Sequence, residues 1–524
     1  MKKTKSTTVL VVFFLAVMLW PMISPFAQVG TALNTTPGDL YEKMINNPAF
    51  KQSAKGEGFC WQARVGMTQF INNYEGTKDT EWLDAGFKYC DFLIGRMDAS
   101  PDGYKGWIGP FLSDRKYWQD VLVGDALLFE GMLDYCILVM GDKNLEKKYG
   151  DKAKSYIESA QKNFVEKYDK RRTWIEDGQY GGYINSDKFL KEGNLQEWII
   201  APKAAEANLT HPFNKQMDAG LVCLKLYRLT KDQLYKDRAI KIFFTVKSHF
   251  QYFDNHYCWN YWEPLYPGDV NLEKKDTRHG VWVHMWRSGY QASEVGKIVE
   301  AYHNGIVFDE QDMKRIINTN LDVMWNKDKV NPKYINSNGL GADGDTTGIA
   351  GFQRAYGHSN VVKNGGELWT SLLDFDQTIR DLNALRFKNN ENPEGYERFK
   401  KRMEENPPGF ERKHVIDKVI VPEITFTESK ELTLATVLPH IVPKGGESII
   451  ICKSWIPGEL QIDLYSTKGE KLTNLFKGNI EKEKTFLITW NGKDPAKKAT
   501  YNGDYKIRWT IGTGYREFPI TINN

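Results

Sequence analysis

From Trp61 to Arg386, apolar positions recur three and four apart, the spacing of helices with one face turned inward. Between Gln119 and Met140 the inward set includes Val121, Leu128, Met132, Leu133, Tyr135 and Val139. Met217, Leu221, Leu224 and Arg228 mark a second helix. Tyr235 to Phe250 marks a third, with Ile240, Phe243 and Phe244 inward. Ser288 to His303 and Glu310 to Trp325 form a further pair, and Glu367 to Arg386 reads as the last helix of the region.

Short polar turns separate these helices in pairs. Thr77-Lys78-Asp79-Thr80-Glu81-Trp82, Gly141-Asp142-Lys143-Asn144-Leu145 and Thr230-Lys231-Asp232-Gln233-Leu234-Tyr235 resemble one another, and Asn304-Gly305-Ile306-Val307-Phe308-Asp309 repeats the arrangement. Such self-similarity indicates a repeated helical hairpin, which can stack into an open superhelix or close into a ring. Short turns make neighbours antiparallel, so the long loops between pairs emerge at the opposite end. Those loops are rich in Trp, Tyr, His, Asn and Arg, and four distant segments are thereby expected to meet at one concave mouth.

After Asn389 the pattern changes. Asn392-Pro393 and Asn406-Pro407-Pro408 flank a charged stretch, read as a linker with a short helix. The period then becomes two. Glu459 to Tyr465, Lys471 to Leu475, Thr485 to Trp490 and Gly503 to Trp509 read as strands of a small β-sandwich. The expected boundaries are a leader over 1–32, a helical region over 33–388, a linker over 389–414 and a β region over 415–524.

The leader combines Lys2, Lys3 and Lys5 with an apolar run from Thr8 to Trp20, and Ala27 or Ala32 offers a cleavage site. This is the pattern of an export signal, and the run is shorter than a membrane span of about 20 residues. The mature protein is therefore expected in a secreted, periplasmic or cell-surface location. Removing three lysines lowers Lys plus Arg from 70 to 67, equal to the 67 acidic residues. A neutral chain argues against nucleic acid as a partner. The six cysteines, Cys60, Cys90, Cys136, Cys223, Cys258 and Cys452, include no CxxC; buried free thiols are the plain reading and one bridge the sharper one.

The turn Thr230-Lys231-Asp232-Gln233-Leu234-Tyr235 and its flanks, from Tyr227 to Ala239, resemble the helical hairpins of (α/α) toroid carbohydrate-active enzymes. That group includes polysaccharide lyases, uronyl epimerases and inverting glycosidases. The resemblance implies a mainly α fold, an (α/α) toroid over roughly residues 50 to 390, and a polysaccharide substrate; it does not select one chemistry. Ile462 to Gly469, Thr489-Trp490-Asn491-Gly492-Lys493-Asp494 and Asn502-Gly503-Asp504-Tyr505 resemble a FlgD-type immunoglobulin-like module. Such modules trail bacterial secreted proteins as spacers or attachment units, which implies attachment to the cell envelope.

The densest chemistry runs from Trp259 to Tyr290. A lyase acting on a uronic acid must stabilise charge developing on a carboxylate, for which Asn, Arg and protonated His serve. It also needs a base and an acid, for which Tyr and His serve. Asn260, His279, His284, Arg287 and Tyr290 are the candidate catalytic residues, with Tyr261 as a further acid or base. Trp107, Trp174, Tyr180, Tyr183, His211, Trp259, Trp262 and Arg278 are the candidate sugar contacts. Packing explains each aromatic equally well, and Asn214 reads best as a helix cap. An inverting glycosidase would need two opposed carboxylates, and no spacing singles out a pair. No cofactor is expected. Asp343-Gly344-Asp345 lacks the spacing of a calcium loop, and no HExxH, phosphate-binding or GxSxG motif occurs. Three readings stand: a lyase of uronic-acid glycans, a glycoside hydrolase, and a non-catalytic envelope protein.

Overall fold

The computed structural model describes residues 35–47, 55–111, 115–200, 206–278, 288–337, 355, 366–389, 393–424, 426, 428–429, 433–455, 457–495, 500–512 and 514–523. The leader and its cleavage sites lie outside them.

After a short helix α1 (Pro37–Ile45), three helical hairpins follow. They are α2 (Gly56–Thr77) with α3 (Glu81–Ile94), α4 (Leu122–Met140) with α5 (Lys143–Ala160), and α6 (Phe213–Thr230) with α7 (Gln233–Ser248). Each turn is fixed locally. Lys78 and Lys231 close α2 and α6 in the left-handed conformation, with φ of 58° and 61°. The side chains of Asp142 and Asp232 cap the starts of α5 and α7, accepting from backbone N–H groups at 2.7–3.2 Å. α4 is apolar nearly all round and is buried along almost its whole length, because α2 and α6 cover it on two sides and α5 on a third.

The regular hairpin repeat stops there. α8 (Ser288–His303) packs on α6 and on the turn Thr370–Asp374, whereas α9 (Glu310–Asn318) packs on a small hairpin of β3 (Gln251–Phe253) and β4 (His256–Cys258). An earlier hairpin, β1 (Trp174–Asp177) with β2 (Tyr180–Tyr183), lies against α7. α10 (Gln377–Asn389) and α11 (Pro393–Glu405) pair with each other.

This corrects the expectation of a mainly α fold built as an (α/α) toroid. The chain is 44% helix and 25% strand, and the described residues form no clear toroid. The physical reason is in the long connections. They fold into strands that pack on the helices, so the fourth pair meets sheet where a ring needs helix.

The C-terminal region contains a three-stranded sheet, β5 (Thr433–Leu438), β7 (Ser448–Ser454) and β10 (Thr485–Trp490), in the order β5-β7-β10. A five-stranded sheet runs β6-β12-β11-β8-β9. Its strands are β6 (Ile441–Val442), β8 (Gly458–Ser466), β9 (Lys471–Ile480), β11 (Gly503–Ile511) and β12 (Gly514–Ile522). Ala435, Val437, Ile450 and Cys452 from the first sheet pack with Leu460, Ile462, Ile507, Trp509 and Phe518 of the second, forming a separate core. Strands β5 and β7 of the first sheet are covered on both faces. Leu434, Leu438, Ile449 and Ile451, which alternate with that set, join the core of the helical part. The connecting segment is bound as well: Ile306 and Ile420 bridge, and Arg412 donates to the carbonyls of Tyr302 and Phe308.

Candidate site between helix starts

Four segments meet at the starts of α2, α6 and α8. Glu57 on α2 is buried and accepts from the Lys215 ammonium at 2.9 Å and from the half-exposed Trp61 indole at 3.2 Å. Lys215 on α6 is 16% exposed at its side chain. Burial works against its charge, but Glu57, Glu206 and Tyr290 together hold its pKa above the usual lysine value. Tyr290 on α8 is half-buried, and its ring centroid lies 5.2 Å from that of Tyr261. Tyr261 is buried, and burial together with the charges around it pushes its hydroxyl well above the ordinary range. At neutral pH it is a proton donor.

Behind this mouth, a ladder of charges runs between the helices. Lys297 bridges Asp218 (3.0 Å) and the Asn214 carbonyl (3.0 Å). Arg64 reaches Glu130 (2.6 Å) and Asp218 (3.6 Å), and Lys225 joins Glu130 (3.0 Å) to Asp134 (2.6 Å). Glu294 lies fully buried beside them and accepts from the Trp259 indole at 2.7 Å. Burial pushes its carboxyl up to about 8, against the pull of the Trp259 indole and the Lys297 ammonium. Buried charges are tolerated only when partnered, and here alternation of sign along neighbouring helices supplies the partners.

Of the candidate catalytic residues, Tyr261 and Tyr290 meet in this mouth. Asn260 does not: it is buried and points the other way, donating to Glu263 at 2.7 Å and to the Thr433 carbonyl at 3.0 Å. His279, His284 and Arg287 lie outside the described residues.

The candidate sugar contacts are dispersed. Trp259 and Trp262 are fully buried, their indoles spent on Glu294 and on Thr210. Trp107 is buried and donates to the Leu93 carbonyl at 2.9 Å. Tyr183 is buried against Trp174, whose half-buried ring carries the Arg238 guanidinium at 4.9 Å. Tyr180 stacks on His440 of the β-sandwich, with centroids 3.8 Å apart. His211 is buried at the start of α6. Arg278 is exposed but ties down its own loop, donating to the carbonyls of Ala207 and Gly268 at 3.0 Å each.

The residues that sequence reasoning passed over are Glu57, Trp61, Arg64 and Glu294; Lys215 lies in the loop stretch His211 to Lys215 that the sequence already offered to the site. For the charged ones, the signal is a charged residue on a helix face that is otherwise apolar. Glu57 and Arg64 are seven apart, as are Asp218 and Lys225, and seven residues return to the same face of a helix. Among the described residues, no group of three or more His, Cys, Asp or Glu is arranged to hold a metal ion. No protein-family model, curated protein or solved structure matches this chain, so any functional reading rests on the site itself.

Proposed function

We propose that the protein is a glycan-active enzyme whose working site is the mouth of Glu57, Trp61, Lys215, Tyr261 and Tyr290. The reaction is β-elimination on uronic-acid-containing polysaccharides. The observation that carries this reading is a partly exposed lysine, Lys215, within electrostatic reach of a half-buried phenol, Tyr290, which packs on a second, firmly protonated phenol, Tyr261. The ammonium neutralises the substrate carboxylate as charge develops on it. As base, the Tyr290 oxygen takes the proton on the carbon next to that carboxylate; a C=C bond forms as the neighbouring bond to the leaving oxygen breaks, and that oxygen takes the proton back from Tyr290. Trp61, held by Glu57, offers an aromatic face to a sugar ring.

A second reading, hydrolysis, is favoured by one observation. Glu294 remains protonated near neutral pH, the state a general acid needs at a glycosidic oxygen. Incubating the purified protein with alginate, pectin, ulvan and glycosaminoglycans separates the two. Lyase action adds the ultraviolet absorbance of an unsaturated uronide, and Tyr290→Phe lowers the rate by roughly 10²–10⁴-fold. Reducing ends without that absorbance assign hydrolysis. Neither signal on any of these glycans removes the enzymatic reading and leaves a non-catalytic envelope protein.

A further inference from the structure

The loop Trp259–Glu263 has two sides. Trp259 and Tyr261 face Glu294 and Tyr290, toward the mouth. Asn260 and Glu263 face the β-sandwich. There a single carbonyl, that of Thr433 at the start of β5, accepts from Asn260 (3.0 Å), from Arg516 of β12 (3.0 Å) and from Gln251 of β3 (2.8 Å). Gln251 also accepts from the Thr433 backbone N–H at 2.9 Å. Arg516 lies 3.5 Å from the Glu263 carboxylate, which in turn accepts from Asn260 at 2.7 Å. Thr433, Asn260, Glu263 and Arg516 are all at least nine-tenths buried. Two of these contacts cross to the loop, Asn260 to the Thr433 carbonyl and Arg516 to the Glu263 carboxylate, and burial makes both firmer than surface contacts of the same length.

We propose that Arg516 and Thr433 are positioning residues of the mouth: the β-sandwich clamps the 259–263 loop, and through it places Tyr261 against Tyr290. The proposal rests on the reading of the mouth as the working site. It makes the C-terminal module part of that site, where a trailing spacer would leave the site unchanged. The docking supports this role at further points. Asp177 at the end of β1 accepts from the backbone N–H groups of His440 and Ile441, and Phe518 of β12 packs 5.4 Å from His249. His440 and Phe518 lie 5.9 Å apart, so these contacts form one patch beside the clamp.

The test is hydrogen–deuterium exchange of the full-length protein carrying Arg516→Met, which keeps the stem and removes the donors. Exchange over residues 257–264 is expected to rise about tenfold or more, the scale of a lost charged hydrogen bond. Exchange within α4 is expected to stay as in the unaltered protein. Arg516→Lys, which retains a cation, is expected to fall between the two and serves alone if the Met variant does not fold. Unchanged exchange over 257–264 in either variant, or a rise matched by α4, overturns the proposal. With a glycan substrate in hand, Arg516→Met is expected to lower kcat more than it raises KM. Failure to find any substrate leaves the exchange result intact, so the clamp and the proposed activity fail separately.

Discussion

Glu294 illustrates what burial does to one side chain. It is surrounded by Trp259, Lys297 and Asp218, and burial outweighs the groups that favour its charge. Its folded pKa, about 8, exceeds the ordinary 4.5, so the folded chain holds a proton that the unfolded chain has released over that interval. The stabilisation from this group is complete below about pH 4.5 and is lost as pH rises toward 8. Each pH unit crossed is worth about 1.4 kcal/mol at most. Glu294→Gln should therefore flatten the pH dependence of urea stability between pH 5 and 8, relative to the unaltered protein; parallel curves would refute the assignment. The sequence marks Glu294 as polar on a helix, but only the neighbouring loop tells that it is dry. Asn260 is the opposite lesson. Its residue type suited catalysis, and its backbone position turned it toward the β-sandwich.

At the scale of elements, the helical hairpins were legible because their signals are local. Asp309 shows how complete such a signal is: its carboxylate accepts from the Asp312 N–H, and the Asp312 carboxylate accepts in turn from the Asp309 N–H, both at 2.8 Å. Asp309→Ala should cost about 1 kcal/mol in a urea titration, and Asp309→Asn distinctly less. Helix–helix contact is read less easily. Gly86 on α3 faces the ring of Tyr135 on α4, and a methyl group there would sit 2.5 Å from the Tyr135 oxygen. That oxygen is bonded to the Met67 carbonyl at 2.8 Å and cannot retreat. Gly86→Ala should destabilise by about 1–3 kcal/mol, measured the same way. The last helix was expected from Glu367 and begins at Gln377, because Thr370–Asp374 tightens into a 3₁₀ turn against α8. The strands at 174–183 and 251–258 escaped notice altogether. They are three or four residues long and acquire their order from the helices beneath them.

For the whole molecule, the decisive feature is the three-stranded sheet, whose strands β5 and β7 are buried on both faces. Its sequence already differs from an ordinary sandwich strand: Ser448-Ile449-Ile450-Ile451-Cys452 is an apolar run without alternation, the pattern of a strand covered twice. That run is the one sequence sign that the module is not a free spacer. The same close packing sequesters the cysteines. All six are buried and unbridged. A thiol reagent should label none in the native protein and six after denaturation without reductant; a titre of four would mean that a bridge forms.

Local chemistry was determined by the sequence alone: hairpin turns, helix caps, strand alternation and the change of period near Asn389 depend on residues a few positions apart. Tertiary structure decided the rest. Whether paired helices continue around a ring, which way Asn260 faces, and which carboxyl stays protonated depend on residues up to about 250 positions away, as between Glu263 and Arg516. Burial and pairing at such separations are properties of packed neighbours, and no pattern along the chain specifies them.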